Sequence, residues 1–199
     1  MRELCRLAIV LTVICCGAAL SLAYVYNLTK EPIAYQQRLK KIEAINSVFP
    51  GHESASEPDT VEMPIGKNTK GEDVKREFYV IKKDETVSGV AFEITASGYG
   101  GNIKIMVGVA KDAIITGIKI IGHTETPGLG ANVTKESFYQ QFKGKDLKDT
   151  NWDLKKNGGD VDQVSGATIS STAVMKAVHD GLNFFSEHKD EILASEVGT

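Results

Sequence analysis

The stretch Asp162-Gln163-Val164-Ser165-Gly166-Ala167-Thr168-Ile169-Ser170-Ser171 decides the fold assignment, because a loop meets a helix within it. Apolar residues recur at helical spacing downstream, at Val174, Val178, Leu182 and Phe185. Polar residues occupy the opposite face of this predicted helix, at Lys176, His179, Asp180, Asn183 and Glu187. Residues 165–168 therefore lie at a helix entry, where Ser and Thr are preferred because their hydroxyl groups accept hydrogen bonds from the first backbone N–H groups.

The same helix entry has the chemistry of an anion-binding site. Free N–H groups and the helix dipole attract anions at this end, phosphate above all. Gly166 and Ala167 carry almost no side chain, so a bulky ligand could approach the backbone closely. Taken alone, however, Ser-Gly-Ala-Thr is more often an ordinary capped helix, and the rest of the chain has to decide between the two interpretations.

The composition bounds the possible functions. A chain of 199 residues has room for one domain plus an anchor. The net charge of −3 provides no basic surface for nucleic acid, so no nucleic-acid partner is expected. All three cysteines fall within the first 16 residues, and the four histidines show no metal-ligand spacing. We therefore expect no disulfide framework, no metal site and no iron–sulfur cluster.

The N-terminal segment is predicted to be a membrane anchor. Residues 7–26 carry no charge and are about long enough to span a bilayer. Arg2 and Arg6 precede this run, which places residues 1–6 in the cytoplasm by the positive-inside rule. The alternative is a cleaved signal peptide with a site at Ser21-Leu22-Ala23, but the run is longer than a usual signal sequence. In either case the chain after about Asn27 lies outside the cytoplasm.

Residues 27–75 are predicted to be a helix and a linker. Glu31-Pro32 opens a helical pattern, because Pro is favoured at the first helical position, and Pro50-Gly51 ends it. Residues 52–71 are rich in Glu, Ser, Pro, Gly and Lys and are typical of an irregular connection. The folded domain is then expected over residues 76–190, followed by a C-terminal tail at residues 191–199.

Four short β-rich runs follow this linker. They cover residues 78–81, 87–95, 103–109 and 114–121, and turn residues separate them. Such a pattern predicts an antiparallel meander. With helices at both ends, the chain is predicted to have an α+β fold, in which a single transmembrane helix precedes an antiparallel-sheet domain with flanking helices.

The loop at residues 122–132 is unusually rich in Gly and Pro. Its glycines permit positive φ and a close approach of the backbone to a ligand. One interpretation is a rigid surface turn. The other is a loop that folds over a flat ligand, with Glu125 and Thr126 offering polar contacts.

Two separated motifs carry a resemblance to a known family. His123-x-Glu125-Thr126-Pro127-Gly128-Leu129-Gly130 precedes Asp162-x-x-Ser165-Gly166-Ala167-Thr168, and the chain also contains Ser97-Gly98-Tyr99-Gly100-Gly101-x-Ile103. This combination, with an anchor ahead of the domain, resembles the FMN-binding domain of the G subunit of the Rnf electron-transport complex. The C subunit of the sodium-pumping NADH:quinone oxidoreductase has the same pairing. The resemblance covers essentially the whole chain, and the short region before the strands looks more like the Rnf protein.

The resemblance implies a covalent cofactor. In that family the threonine of the Ser/Thr-Gly-Ala-Thr motif carries FMN through a phosphoester, which a dedicated flavin transferase makes outside the cytoplasm with FAD as donor. By motif position this residue is Thr168, which would make the chain a flavoprotein and, through its phosphoester, a phosphoprotein. The motif also assigns a phosphate cradle to Ser165, Gly166, Ala167 and Ile169. It assigns contacts with the ring system to Glu125, Thr126, Gly128 and Leu129, and transferase recognition to Asp162.

The resemblance also implies a function. The chain shows no nucleophile–base constellation and no proton-shuttle pair, so the chemistry would belong to the flavin. The implied protein is an electron-transfer subunit of an inner-membrane translocase, with a single span and its FMN domain outside the cytoplasm. The complex would couple electron flow between ferredoxin and NAD to movement of Na⁺ or H⁺, and its other subunits and the transferase would be partners. Alternatives are the C subunit of the quinone reductase and a non-redox, membrane-anchored binding module.

Overall fold

The computed structural model of the chain describes residues 2–50, 58–67, 73–83 and 86–194. The chain divides into two compact units, Met1–Lys40 and Lys41–Thr199. The N-terminal unit is helical over its described residues, whereas the second unit contains a β-sheet and the remaining helices. The candidate site lies in the second unit.

The N-terminal helix α1 runs without interruption over Arg2–Val48. Among the described residues it is the one helix long and apolar enough to cross a membrane, and none of its apolar window is buried within the chain. The predicted start of a separate helix at Glu31-Pro32 is wrong, because Pro32 lies inside α1. Proline removes one backbone hydrogen bond and crowds the preceding turn, but the good helix formers on both sides carry the helix through it.

The second unit is built on five antiparallel strands in the order β1-β2-β3-β4-β5. The strands are β1 Thr60–Lys67, β2 Asp73–Lys83, β3 Thr86–Ser97, β4 Asn102–Ala110 and β5 Ile115–His123. The four predicted strands correspond to β2 to β5, and the predicted antiparallel meander is confirmed. Each strand lies beside its neighbour in sequence, so the sheet contains no crossover connection.

Strand β1 is the element that the sequence prediction missed. Residues 60–67 fall within residues 52–71, whose content of Glu, Ser, Pro, Gly and Lys predicts an irregular connection. In the structure β1 is an edge strand with a bulge between Pro64 and Gly66. Proline is tolerated on an edge strand, where its missing N–H is no loss to the sheet, and glycine suits a bulge. The rest of that predicted connection, residues 52–57 and 68–71, lies outside the described residues.

The two faces of the sheet carry different helices. Helix α3, Thr168–Ala194, packs on one face through the predicted apolar stripe, and Val174, Val178, Leu182 and Phe185 are all fully buried. The last turns of α1 cover the other face through Ala44, Ile45 and Val48. The short helix α2, Glu136–Tyr139, and three 3₁₀ turns connect β5 to α3. Trp152 in this connection packs beside Phe142 and His179, with ring centroids 6.4 and 5.4 Å apart, and is half-buried.

A polar cluster also holds the end of α1 on the sheet. The Lys41 ammonium donates hydrogen bonds to the Tyr79 hydroxyl oxygen at 2.6 Å and to the Glu77 carboxylate at 3.2 Å. The Tyr79 hydroxyl in turn donates to Glu77. Burial, together with this carboxylate, raises the pKa of Tyr79 to about 12.

A glycine sets how closely α1 approaches the sheet. A Cβ atom at Gly108 would lie 2.5 Å from Thr116 Oγ1 and 2.8 Å from the Val48 carbonyl oxygen. These two atoms already form a hydrogen bond of 2.6 Å, in which Thr116 donates. Only a residue without a side chain therefore fits at this position of β4.

We expect Gly108→Ala to lower the free energy of unfolding by about 1–3 kcal/mol, because the added methyl group must push the α1 backbone away. Gly122→Ala is the matched control, since its Cβ would meet nothing closer than Lys104 Cδ at 3.8 Å. Urea unfolding of the full chain in detergent, followed by Trp152 fluorescence, measures both variants. Equal losses in the two variants would contradict the packing described here.

The raised pKa of Tyr79 predicts a loss of stability at high pH. A group whose pKa is higher in the folded state stabilises the fold below its unfolded pKa of 10.0, and this contribution is lost as pH rises through about 12. Spectrophotometric titration of tyrosinate should show one step near pH 12 that Tyr79→Phe removes. In urea the step should return to about pH 10. If Tyr79→Phe instead removed a step near pH 10 from the titration of the folded protein, the hydroxyl would not be held as described.

Candidate ligand-binding site

The turn after β3, the loop after β5 and the start of α3 surround an open cleft. Its volume is about 420 Å³, which lies in the usual range for small-molecule sites. The lining residues are Tyr99, Glu125, Thr126, Leu129, Gly130, Gly166, Ala167, Thr168, Ile169 and Ser170. Seven of the residues assigned from sequence thus come together in space, although 36 positions separate Gly130 from Gly166 in the chain.

Thr168 is the first residue of α3, as the sequence predicts. Its side chain is partly exposed on the cleft. The hydroxyl donates one long hydrogen bond, of 3.3 Å, to Gln163 Oε1. The Thr168 oxygen is therefore accessible and only weakly held by the protein.

The start of α3 leaves backbone N–H groups open. Within the part of the chain that the structure describes, no acceptor bonds the N–H groups of Thr168, Ile169 or Ser170. The expected capping by the hydroxyl groups of Ser165 and Thr168 is wrong, because neither accepts a hydrogen bond from these groups. Instead, the Ser171 hydroxyl accepts from Val164 N–H at 3.0 Å and fixes the loop before the helix. The helix terminus consequently presents uncapped donors and the positive end of its dipole to the cleft.

Gly166 permits the close approach of the two loops. Its φ of +73° lies in the left-handed region that favours glycine. A Cβ atom there would lie 3.3 Å from Leu129 Cδ2, which belongs to the loop after β5. The backbone conformation thus favours glycine in the Ser-Gly-Ala-Thr motif, and a larger residue there would also displace the Leu129 side chain by a few tenths of an ångström.

Glu125 joins the three segments of the site. The residue is 5% exposed, and its carboxylate accepts a hydrogen bond from Gly100 N–H at 2.9 Å and from the Ser170 hydroxyl at 2.7 Å. Gly98 and Gly130 leave the space for this carboxylate, since a Cβ at either position would lie within 2.2 Å of one of its oxygens. Both carboxylate oxygens are therefore engaged in holding the turn after β3 and the first turn of α3 together.

Three residues assigned from sequence lie outside the cleft lining. Ser165 and Asp162 line a neighbouring groove of about 290 Å³, and Gly128 supplies a positive-φ turn in the loop after β5. The Asp162 carboxylate forms an ion pair of 2.5 Å with Lys155, and its backbone N–H donates to Gln141 Oε1 at 2.6 Å. Asp162 therefore interacts with Lys155 and Gln141 and does not line the Thr168 cleft.

Sequence reasoning missed Tyr99, Gly130 and Ser170 as lining residues. Tyr99 is 76% exposed, and Leu129 and Ile169 are 51% and 56% exposed, so three large apolar side chains surround the cleft. An aromatic residue among the glycines of Ser97-Gly98-Tyr99-Gly100-Gly101 was the available signal. Exposed apolar side chains at the mouth of a cleft are typical of a binding site.

The cleft thus combines open N–H donors at one end with exposed apolar side chains at its rim. This combination suits a ligand that has an anionic group and a flat apolar body. The described ranges contain no group of three or more His, Cys, Asp or Glu residues that could hold a metal ion.

We expect Glu125→Ala to open the site without unfolding the domain. The change leaves the buried Ser170 hydroxyl without an acceptor, which costs about 1–3 kcal/mol, and it also frees the part-buried Gly100 N–H. Hydrogen–deuterium exchange should speed up at least about tenfold at Gly100 and in the loop after β5. Glu187→Ala on the exposed face of α3 is the matched control and should leave both segments unchanged. Slow exchange at Gly100 in Glu125→Ala would contradict the role assigned to this carboxylate.

Two family models match the two parts of the chain. A family model described as the FMN-binding domain matches residues 98–183, which include the entire cleft. A second, described as the RnfG N-terminal region, matches residues 2–48, which correspond to α1. The match to the N-terminal region supports the Rnf protein over the alternative from the quinone reductase.

Curated relatives resemble this chain over nearly its full length. The G subunit of the ion-translocating oxidoreductase complex of Aliivibrio fischeri (strain MJ11) is 36% identical, covering 94% of this chain and 92% of the relative. The same subunit of Cereibacter sphaeroides (strain ATCC 17029 / ATH 2.4.9) is 34% identical, covering 89% and 82%. That of Pseudomonas aeruginosa (strain UCBPP-PA14) is 32% identical, covering 98% and 94%.

Two solved structures share the fold. NqrC of Shewanella oneidensis superposes with a TM-score of 0.53 at 25% identity, covering 67% of this chain and 69% of that one. The C subunit of the Na⁺-translocating NADH-quinone reductase of Parabacteroides distasonis superposes with a TM-score of 0.57 at 22% identity, covering 77% and 94%. These structures confirm the predicted fold class. With relatives above 30% identity along almost all of its length, the chain belongs to the RnfG family, the G subunits of ion-translocating oxidoreductase complexes.

Proposed function

We propose that this chain carries FMN covalently, through a phosphoester on Thr168, and relays electrons within an Rnf-type membrane complex. The observation that carries the proposal is the position of the Thr168 hydroxyl. It lies in a cleft, weakly bonded, at the uncapped start of α3 and within the residues matched by the FMN-binding domain. Family membership by itself makes the chain a membrane flavoprotein subunit of an ion-translocating oxidoreductase complex.

The start of α3 would hold the phosphate. The open N–H groups of Thr168 and Ile169 stabilise negative charge, and the dipole of a 27-residue helix adds to this effect. Gly166 and Ala167 let the phosphate lie against the backbone. Ser165 lines the adjoining groove, so its part in the cradle rests on motif position.

The rim of the cleft would hold the ring system. Leu129 and Ile169 approach from two different segments, and their exposed side chains would be covered by a flat aromatic group. Burying apolar area stabilises such a complex by about 25 cal/mol per Å². Thr126 lies at the same rim and offers a hydroxyl, while Gly128 shapes the turn that carries Leu129. Glu125 would contribute indirectly, by holding the turn after β3 and the first turn of α3 in place.

When bound, FMN supplies one-electron and two-electron redox chemistry, and the protein contributes position and electrostatics. Both oxygens of Glu125 already accept hydrogen bonds from protein groups. Glu125 would thus help to hold the site in shape. The other residues of the site would bind and orient the cofactor and limit its contact with water. A covalent bond through Thr168 would prevent loss of the cofactor by diffusion outside the cytoplasm.

The proposed membrane arrangement rests on α1. Its apolar segment would span the inner membrane once, with Arg2 and Arg6 on the cytoplasmic side and the FMN-binding domain on the other. A flavin transferase outside the cytoplasm would join the FMN phosphate to the Thr168 oxygen, with FAD as donor and AMP as the leaving group, which takes the hydroxyl proton. Asp162 is exposed beside Lys155 and accessible for recognition by such an enzyme.

The complex would couple electron transfer between ferredoxin and NAD to movement of Na⁺ or H⁺, which makes it a translocase. The relatives are named as subunits of an ion-translocating oxidoreductase complex. The other subunits of this complex are accordingly the proposed partners of the chain. The single flavin on Thr168 would be its contribution to the electron path.

Replacing Thr168 tests the linkage. We expect Thr168→Ala, produced together with a flavin transferase, to show no flavin fluorescence in a denaturing gel and to keep its fold, because only the acceptor oxygen is lost. Thr172→Ala is the matched control. It removes a hydroxyl one turn along α3, which donates to the Thr168 carbonyl at 2.8 Å, and should remain fluorescent.

A fluorescent Thr168→Ala protein would refute the assignment of this residue. A colourless wild-type protein, in a strain where a known flavoprotein of the same transferase becomes fluorescent, would contradict covalent attachment altogether. Circular dichroism of Thr168→Ala checks that the loss of flavin is not a loss of fold.

A further inference from the structure

Arg76 is a cation placed among aromatic rings. It lies on β2 and faces α3, with its guanidinium carbon 5.8 Å from the centroid of Phe92 and 5.6 Å from that of Phe184. It is also the sole arginine in the sequence from residue 41 onward. Stacking on aromatic faces holds the planar guanidinium in a fixed orientation.

This guanidinium lacks an anionic partner among the residues that the structure describes. Over the described ranges, Arg76 makes no ion pair and no side-chain hydrogen bond, and its polar interactions are the two ring contacts. Burial lowers the pKa of Arg76, and no neighbouring carboxylate counteracts this effect. An arginine stays charged in spite of such a shift, so its five N–H donors are partly desolvated without acceptors. Proteins normally pair a charge in this position, because an unpaired buried charge is costly.

Arg76 lines a groove that is separate from the Thr168 cleft. The groove has a volume of about 430 Å³ and runs between α3 and the ends of β1 to β3. Its apolar wall contains Ile65, Ile94, Ala177 and Phe184. The two cavities share no lining residue. The groove is therefore an additional site and not an extension of the first.

The charges of the groove indicate what it would bind. Arg76 and Lys176 are positive and Asp180 is negative, which leaves one net positive charge along its lining. The Asp180 side chain is 79% exposed, and its closest ionic contact is His179 Nδ1 at 3.3 Å, so it does not neutralise Arg76. One positive charge balances a carboxylate better than a phosphate dianion. A planar guanidinium also matches a carboxylate with two parallel hydrogen bonds.

We propose that this groove binds the carboxylate group of a ligand with an apolar body, with Arg76 as the anchoring residue. The apolar wall would cover the body, and Arg76 would regain the hydrogen-bond partners it lacks. The carboxylate could belong to a free small molecule or to a polypeptide segment of another subunit. The site does not depend on the flavin, so it stands or fails separately from the proposed function.

The test uses full-length protein in detergent, prepared without the transferase and labelled with ¹⁵N at arginine Nε. Benzoate is the probe, benzamide is its uncharged counterpart, and inorganic phosphate is the competing anion. We expect benzoate to shift one Nε–H signal, which Arg76→Lys identifies, in a saturable titration. Benzamide should cause no shift, and phosphate should bind at least about fivefold more weakly, since it has no apolar body to cover the apolar wall of the groove.

Variants of opposite effect sharpen the test. Arg76→Gln should weaken benzoate binding at least about tenfold, because the charge-assisted hydrogen bonds are lost. Asp180→Asn should strengthen it about two- to fivefold by removing an exposed negative charge from the groove. Lys143→Gln is the control, since Lys143 is exposed and lies outside the groove lining. If Arg76→Gln fails to fold, the wild-type titration and Asp180→Asn still decide.

The source of the carboxylate is resolved by repeating the titration on the assembled complex. Retained benzoate binding supports the proposal with a free small molecule as ligand. Binding to the isolated chain that disappears in the complex supports it with a segment of another subunit as ligand. No saturable shift of Arg76 in the isolated chain, or phosphate binding as tight as benzoate binding, would overturn it.

Discussion

The buried carboxylate of Glu125 is the contact on which the geometry of the site depends. One of its oxygens accepts the Gly100 N–H and the other accepts the Ser170 hydroxyl, so the turn after β3 and the start of α3 are tied to the loop after β5. A buried carboxylate is tolerated because it is hydrogen-bonded at both oxygens. Without it, the turn after β3 and the first turn of α3 would lose their shared hydrogen-bond acceptor on the loop that carries Leu129. The rigid sheet and α3 supply the frame, and Glu125 fixes the loops to it.

Two features of α3 then make its first residue chemically distinctive. Its stripe of Val174, Val178, Leu182 and Phe185 buries the helix on the sheet, which fixes where Thr168 lies. Its first N–H groups remain uncapped, so the terminus keeps its affinity for an anion. A cofactor that is both anionic and apolar would satisfy the helix terminus and cover the exposed rim at once. A covalent bond would then add permanence to a fit that the fold already favours.

Local sequence patterns predicted the elements that bury apolar residues, and tertiary contacts decided the rest. The stripe of α3 was predictable because its apolar residues recur at helical spacing, and strands β2 to β5 were predictable because each is a short β-rich run bounded by turn residues. Strand β1 was not predictable in this way, because Pro64 and Gly66 are typical of irregular segments. In the structure they lie at a bulge in an edge strand. Pro32 signalled a helix start but lies inside α1. Glu125 was assigned to the site, but its partners at Gly100 and Ser170 are 25 and 45 positions away, beyond any local pattern.

Covalent FMN on Thr168 is the central claim, and the mass of the native protein tests it most directly. The measurement is the intact mass of the protein purified from its own membrane, combined with peptide mapping across residues 162–176. The account predicts an addition equal to FMN less one water, located on Thr168. An unmodified mass, or a flavin located on another residue, would contradict it.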